Sequence, residues 1–285
     1  MAVVPRYPVY IPSKGRYERC LTARFLTEDK CPFHIVVEPQ EEDAYRQRFP
    51  QASILVLPFA NLGQGSIPAR NWIKAHATEA GYKRHWQIDD NCECIKRVYA
   101  GKRLRCVAGV ALAAVEDFAD RYENVAVAGL SYGMFVAANA LFPGSGVPPF
   151  TLNTHVYSCT LTLNETPHQW RGRYNEDTDY CLQVLADGWC TVLFNAFVIK
   201  KLRTMTMAGG NTDQLYQGDG RLKMARSLER MWPRVVETKR RFGRPQHVVN
   251  WKKFRNPLKR RTDIDWEALE NAGSNDYGMV LKRVK

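Results

Sequence analysis

No run of apolar residues in this chain approaches the roughly 18 that a membrane helix requires; the longest, Val107 to Val115, has nine. A membrane span is therefore not expected, nor a membrane partner. The N-terminal stretch is equally short of a leader, because Pro5, Arg6, Pro8 and Pro12 interrupt its apolar residues before a signal core can form. Cys-x-x-Cys pairs are absent, and the eight cysteines lie scattered, far below the density of a secreted disulfide scaffold. Cys92-x-Cys94 is the one close pair and a poor start for a zinc site. A reducing, cytoplasmic setting is the expectation. One further absence is local: between Lys239 and Arg261 stand ten Lys or Arg and not one Asp or Glu.

What is present starts with size. At 285 residues the chain can bury a large core, as one big domain or one domain with an appendage. Its 45% hydrophobic and 25% charged residues are those of an ordinary globular protein. The formal charge of +12 is not ordinary. It calls for a polyanionic partner, although charge alone does not separate nucleic acid from a membrane surface.

In chain order, strand and helix patterns alternate. Pro8-Val9-Tyr10-Ile11-Pro12 reads as a strand running into Ser13-Lys14-Gly15-Arg16. Such a small basic loop suits a nucleotide phosphate, and equally an ordinary strand-to-helix turn. Residues 33–37 read as a second strand, followed by the acidic run Glu38 to Asp43, which charges the start of a helix through Tyr45 to Phe49. Residues 53–58 form a third strand. The next helix has Ser66 as cap and Pro68 in its first turn, carries Arg70 and Asn71, and closes at Gly81. A fourth strand, around Trp86 and Ile88, ends in Asp89-Asp90-Asn91. Strand and helix three times over, then a strand ending in carboxylates, indicates a parallel α/β sheet that binds a nucleotide at its carboxyl edge.

Two adjacent carboxylates at that edge repel each other, so a cation belongs between them. Mg²⁺ or Mn²⁺ holding a diphosphate is the natural candidate, and a capping turn the plain alternative. Farther on, Leu104 to Tyr122 reads as a helix, and Val125–Leu130, Val156–Leu163 and Thr191–Ile199 as strands. Gly129-Leu130-Ser131-Tyr132-Gly133 matches the nucleophile elbow of α/β hydrolases, with Asp177 and His247 following in the right order. The elbow needs a helix directly after the serine, whereas Met134 to Asn139 reads at least as well as a strand. Asn175 reads as the cap of a helix with Glu176, Asp177 and Asp179 in its first turn. The helix dipole favours acids there, and beside Arg171 and Arg173 one of them is also placed as a general base. Gly209 to Asp213 reads as a flexible loop and Leu222 to Met231 as a basic helix. The segment 239–261 interleaves Phe242, His247, Trp251 and Phe254 among its cations, the pattern of a nucleic-acid groove or of a solvated basic face.

Four motifs, Ile11 to Arg16, Gly65 to Asn71, Ile88 to Asn91 and Asn175 to Asp179, fall in the order and spacing of GT-A-fold nucleotide-sugar glycosyltransferases. The wording of the first and third resembles the phage TET-associated glycosyltransferases, a family linked to glycosylation of 5-hydroxymethylpyrimidines in DNA from UDP-sugars. The resemblance implies a GT-A (Rossmann-like) α/β fold over residues 1–200, with a mixed, mostly parallel sheet flanked by helices. A basic C-terminal region, 201–285, would complete the DNA side. It further implies a UDP-sugar donor, Mn²⁺ or Mg²⁺, and double- or single-stranded DNA carrying 5-hydroxymethylcytosine or its uracil counterpart, in the cytoplasm of an infected bacterial host. Ser13, Lys14, Arg16, Glu38, Arg70, Asn71 and Asp89 would surround the nucleotide sugar. Asp90 and Asn91, with Asp89 and His247, would hold the metal; Asn91 stands where the motif usually carries Asp, leaving Asp90 as main ligand. Asp177, beside Glu176, would take the proton of the acceptor hydroxyl, with inversion at the sugar. Arg171, Arg173, Trp251, Lys252, Lys253 and Arg255 would contact DNA. A UDP-sugar enzyme with a non-DNA acceptor, or a non-catalytic nucleic-acid-binding protein on the same fold, are the alternatives.

Overall fold

The computed structural model describes residues 3–99, 101–137, 147–202 and 220–272. Three strand–helix units open the chain: β1 (Val9–Pro12) with α1 (Leu21–Glu28), β2 (His34–Val37) with α2 (Glu42–Arg48), and β3 (Ser53–Val56) with α3 (Ile67–Glu79). β4 (Arg84–Ile88) ends the series. These strands lie in the order β3-β2-β1-β4 with every neighbour parallel, so their carboxyl ends open onto one edge.

Then follow β5 (Cys92–Tyr99), β6 (Lys102–Cys106), α4 (Ala108–Ala119), β7 (Val125–Tyr132), β8 (Phe150–Leu152), β9 (Cys159–Leu163), α5 (Glu176–Ala186) and β10 (Cys190–Lys201). They extend the sheet to β3-β2-β1-β4-β9-β7-β10-β5-β6, with β8 beside β10. β9 is the antiparallel link between β4 and β7, and β10 runs parallel to β7. The result is a mixed α/β sheet with helices on both faces. Period-two alternation assigns the faces: Val9 and Ile11 pack with Trp86, Leu112 and Val115 on one side, Tyr10 with Ile73 and Ala77 on the other. Each such aliphatic or aromatic side chain, fully buried, contributes roughly 1.5–3 kcal/mol.

The helix expected from Leu104 starts later. Lys102-Arg103-Leu104-Arg105-Cys106 is a strand paired with β5, and the turn between them holds Gly101 at φ +74°. Alternating basic and apolar residues fit an edge strand with one face in solvent better than a helix, so α4 begins only at Ala108. The loop expected at Gly209 to Asp213, and the last residues of Met134 to Asn139, lie outside the described residues.

The C-terminal region contains α6 (Gly220–Met231), the hairpin β11 (Val236–Arg241) and β12 (Arg244–Val249), a 3-10 turn at Trp251–Lys253, and α7 (Trp266–Asn271). It is fastened to the sheet domain. Leu182 of α5 packs with Leu228 and Val236, with Trp251 and Phe254 against them. The Asn256 amide donates to the carbonyls of Leu185 and Trp189. Among the described residues no helix is long and apolar enough to cross a membrane.

Candidate functional site at the carboxyl edge

β4 sets the position of the central acids and is buried along its whole length, polar residues included. Burial lowers the His85 imidazole to about 4, so the ring is neutral. Gln87 Nε2 donates to His85 Nε2 at 2.8 Å, which leaves the proton on Nδ1, 2.5 Å from Asn164 Oδ1. Gln87 Oε1 in turn accepts from Arg70 Nη1 at 3.1 Å. A directed chain, Arg70 to Gln87 to His85 to Asn164, thus satisfies the Gln87 and His85 side chains and fixes the guanidinium of Arg70.

That guanidinium faces the acids. Arg70 Nη2 lies 2.9 Å from Asp89 Oδ1, and Arg70 Nε lies 3.7 Å from Glu176 Oε1. Asp89 Oδ2 has a second cation, Lys201 Nζ at the end of β10, 3.6 Å away. Burial works to raise the Asp89 carboxyl, but Lys201 and Arg70 hold it below its ordinary value. Lys201 also donates to Ser158 Oγ at 2.6 Å and lies over the rings of Tyr132 and Tyr157.

Asp90 has a different setting. Only 5% exposed, it accepts from Ser13 Oγ at 2.8 Å and pairs with Arg16 Nη1 at 2.7 Å. Its two oxygens are each engaged by the β1 loop, so in the structure Asp90 clasps that loop to β4. Lys14 Nζ meets Glu38 at 2.8 Å and Asn61 Oδ1 at 2.9 Å. These three, with Leu57, Phe59 and Pro68, line a cavity of about 100 Å³.

At the start of α5 stand the paired acids Glu176 and Asp177. Ser66 was expected to cap α3; instead its hydroxyl donates to Glu176 Oε1 at 2.8 Å. Asn175 occupies the cap position of α5 in a left-handed conformation (φ 55°), but its amide donates to Met224 O and caps nothing. Asp177 Oδ2 lies 3.2 Å from His155 Nε2, and its Oδ1 accepts from the Thr178 amide at 2.7 Å. Burial pushes both carboxyls up. Glu176 stays raised, because the Asp177 charge adds to burial, whereas the His155 charge and hydrogen bond pull Asp177 well below the usual carboxylate range. His155 stacks on Tyr157 at 4.6 Å and lies parallel, within 5°, to Trp251 at 6.1 Å. Burial lowers His247, with His155 and Asp177 as its charged neighbours. His247 therefore belongs to the Asp177 end of the cleft.

The remaining expected residues divide. Both ends of the Asn71 amide are engaged by the Trp170 backbone, at 2.8 and 2.9 Å, so Asn71 pins the loop before α5. Arg171 pairs with buried Asp179 at 3.0 Å, and Asp179 also accepts from Trp232 Nε1 at 2.7 Å. Arg173 lies over Tyr174. Lys252, Lys253 and Arg255 are exposed, while Trp251 is half-buried against His155 and Phe254.

The donor set allows a divalent ion only in part. Among the described residues no three His, Cys, Asp or Glu side chains converge on a metal position. Asn91 Oδ1, however, is buried without a hydrogen-bond partner, and Asp89 is a quarter exposed. One carboxylate and one amide oxygen suit Mg²⁺ or Mn²⁺ when a diphosphate supplies further ligands.

The serine motif has a structural explanation. Ser131 lies within β7, 3% exposed, and donates to Asn195 Oδ1 at 2.7 Å; a turn follows, not a helix. A Cβ at Gly129 would come within 2.3 Å of Cys159 O, so glycine is required where β7 meets β9. No nucleophile elbow is formed.

Sequence reasoning missed His155 and Lys201. Lys201 had one available signal, as the last residue of a strand ending on this edge; His155 had none.

Residues 7–210 match the profile of a family described as TET-Associated Glycosyltransferase. Among solved structures, one match is described as a nucleotide-diphospho-sugar transferase from Desulfovibrio desulfuricans G20. It is 10% identical, with a TM-score of 0.39, over 72% of this chain and 84% of that one. No curated protein matches.

Proposed function

The chain belongs to the TET-associated glycosyltransferase family, and from that premise we propose that it transfers a sugar from a UDP-sugar to the hydroxymethyl oxygen of a 5-hydroxymethylpyrimidine in DNA. The observation that carries this reading is the pairing of two unlike ends of one cleft. At one end Asp89 is flanked by Arg70 and Lys201, cations suited to a departing diphosphate. At the other Asp177 is held ionised beside His155, as a proton acceptor must be.

In this reading the acceptor oxygen attacks the anomeric carbon while Asp177 takes its proton. The bond from sugar to UDP breaks on the opposite face, so the configuration inverts. Glu38, Lys14 and Asn61 line the cavity assigned to the nucleoside, and Arg70 and Lys201 balance the charge on UDP. Asp89 and Asn91 would hold Mn²⁺ or Mg²⁺, which would add positive charge at the leaving group. A charge of +12 and the acid-free basic segment favour DNA over a small neutral acceptor.

The test is incubation with UDP-sugars and either hydroxymethylated or plain DNA, with and without EDTA, followed by nucleoside mass spectrometry. A hexose or N-acetylhexosamine on the modified base alone, lost with EDTA, is the expected result. Sugar consumption only with a non-DNA acceptor overturns the DNA assignment, and transfer unaffected by EDTA overturns the metal.

A further inference from the structure

The tip of the β11–β12 hairpin breaks three local rules at once. Phe242 is 91% exposed, the most exposed of the chain's large hydrophobic residues described. It sits at φ 51°, followed by Gly243 at φ 75°. Two positive φ values make the tight turn that matches strand twist, in which Asn, Asp or Gly normally fills the first place and a bulky ring is out of character. Thirdly, Arg241 and Arg244 are directly cross-paired, like charge against like, with Lys239 and Arg240 exposed just behind them. Opposed like charges destabilise a hairpin unless an anion lies between or over them. Neither packing nor turn chemistry explains this tip, and such unexplained departures gather at functional sites.

From these observations we infer that the hairpin is a DNA-inserting arm whose phosphate-binding arginines seat it on the duplex while Phe242 wedges between base steps. The inference rests on the DNA-acceptor reading above and specifies how a paired base becomes accessible. A two-stranded ribbon fits the major groove, and an apolar side chain on a basic scaffold can unstack a base step, as minor-groove wedges do from the opposite side. The reach is suitable. His247, at the Asp177 end of the cleft, is paired with Thr238, and Phe242 lies four residues beyond. At strand spacing that is about 13 Å, more than the ~8.5 Å depth of the major groove. A ring carried that far from the cleft can occupy the stack that the acceptor base leaves. Val236, at the foot of the hairpin, is buried with Leu182 and Leu228, so the arm is anchored where it meets the core.

The full-length protein, without sugar donor, is mixed with a duplex carrying one 5-hydroxymethylcytosine beside a 2-aminopurine reporter, whose fluorescence rises on unstacking. Wild type should raise the signal. Phe242→Asn supplies the residue this turn prefers, so the hairpin stays intact; it should bind within about threefold of wild type, since phosphate contacts carry the affinity, yet give no rise. Phe242→Leu should restore most of the rise. A full rise with Phe242→Asn, or wild-type binding without any rise, overturns the arm. So does Phe242-dependent binding to anionic lipid vesicles with no effect of the substitution on the DNA signal. Sugar transfer to single-stranded hydroxymethylated DNA, measured alongside with both proteins, reports separately on the proposed activity, because a single strand has no paired stack to open.

Discussion

His85 carries no charge at neutral pH because it is enclosed in β4, and its neutrality is what lets Gln87 donate to it and so orient Arg70. The linkage has a definite sign. An imidazole that ordinarily titrates near 6.5 is lowered to about 4 by burial. Between those values the unfolded chain binds a proton that the folded chain does not, so stability falls as pH drops from about 6.5 to 4. The full loss from this group is of order 3 kcal/mol. Urea unfolding at pH 7 and pH 4.5 should show that fall in wild type and a clearly smaller one in His85→Gln; equal falls would remove His85 as the cause. Residues such as Arg70, Asp89 and Asp177 were legible in the sequence, since strand ends and helix starts announce themselves locally. His155 was not. Its place beside Asp177 arises from the packing of Val156 against Tyr180 and Cys181 of α5, a long-range arrangement with no periodic signature. Asp90 shows the converse: its motif was visible, but which way its oxygens face depends on the Arg16 loop.

At the scale of elements, the first four strands and the helices α2 and α3 follow from alternation and turn chemistry, and the structure has them close to the expected positions, whereas α1 was implied only by the strand–helix alternation. β6 did not follow, because a five-residue strand of basic and apolar residues continuous with α4 has no breaker between them except Val107 in extended conformation. Trp251 also read differently alone than in place: instead of an exposed stacking ring, it lies parallel to His155 and ties the 3-10 turn to the cleft. The turn's exposed cations, Lys252, Lys253 and Arg255, remain available to phosphates. Replacing all three with Ala should weaken duplex binding and flatten the log–log salt dependence by up to about 2.7, at about 0.9 for each phosphate that is no longer neutralised. UDP-sugar affinity should not change, because the proposed donor end draws on β1, β2, β4, α3 and the end of β10 and not on this turn. An unaltered slope would show the turn to be a solvated face.

The whole molecule is a sheet domain with its candidate site on one edge, and a basic C-terminal region that packs on α5 beside the proposed acceptor end of that edge. Division near residue 200 is visible in composition. In the structure β10 runs to Lys201, whose ammonium serves Asp89, while Trp251 reaches His155 from the other side. In the proposed reading, donor and acceptor ends are thus completed by different parts of the chain. Asp177 is where they meet, and its carboxylate is the group on which the proposed chemistry turns. The decisive measurement is nucleoside mass spectrometry of hydroxymethylated DNA after incubation with UDP-sugar and either wild type or Asp177→Asn. That substitution keeps the shape of the side chain and removes its capacity to accept a proton. Wild type should add one sugar per modified base, with Asp177→Asn slower by at least about 100-fold, the usual worth of a general base, and UDP binding unchanged. Transfer by Asp177→Asn at the wild-type rate would contradict the account.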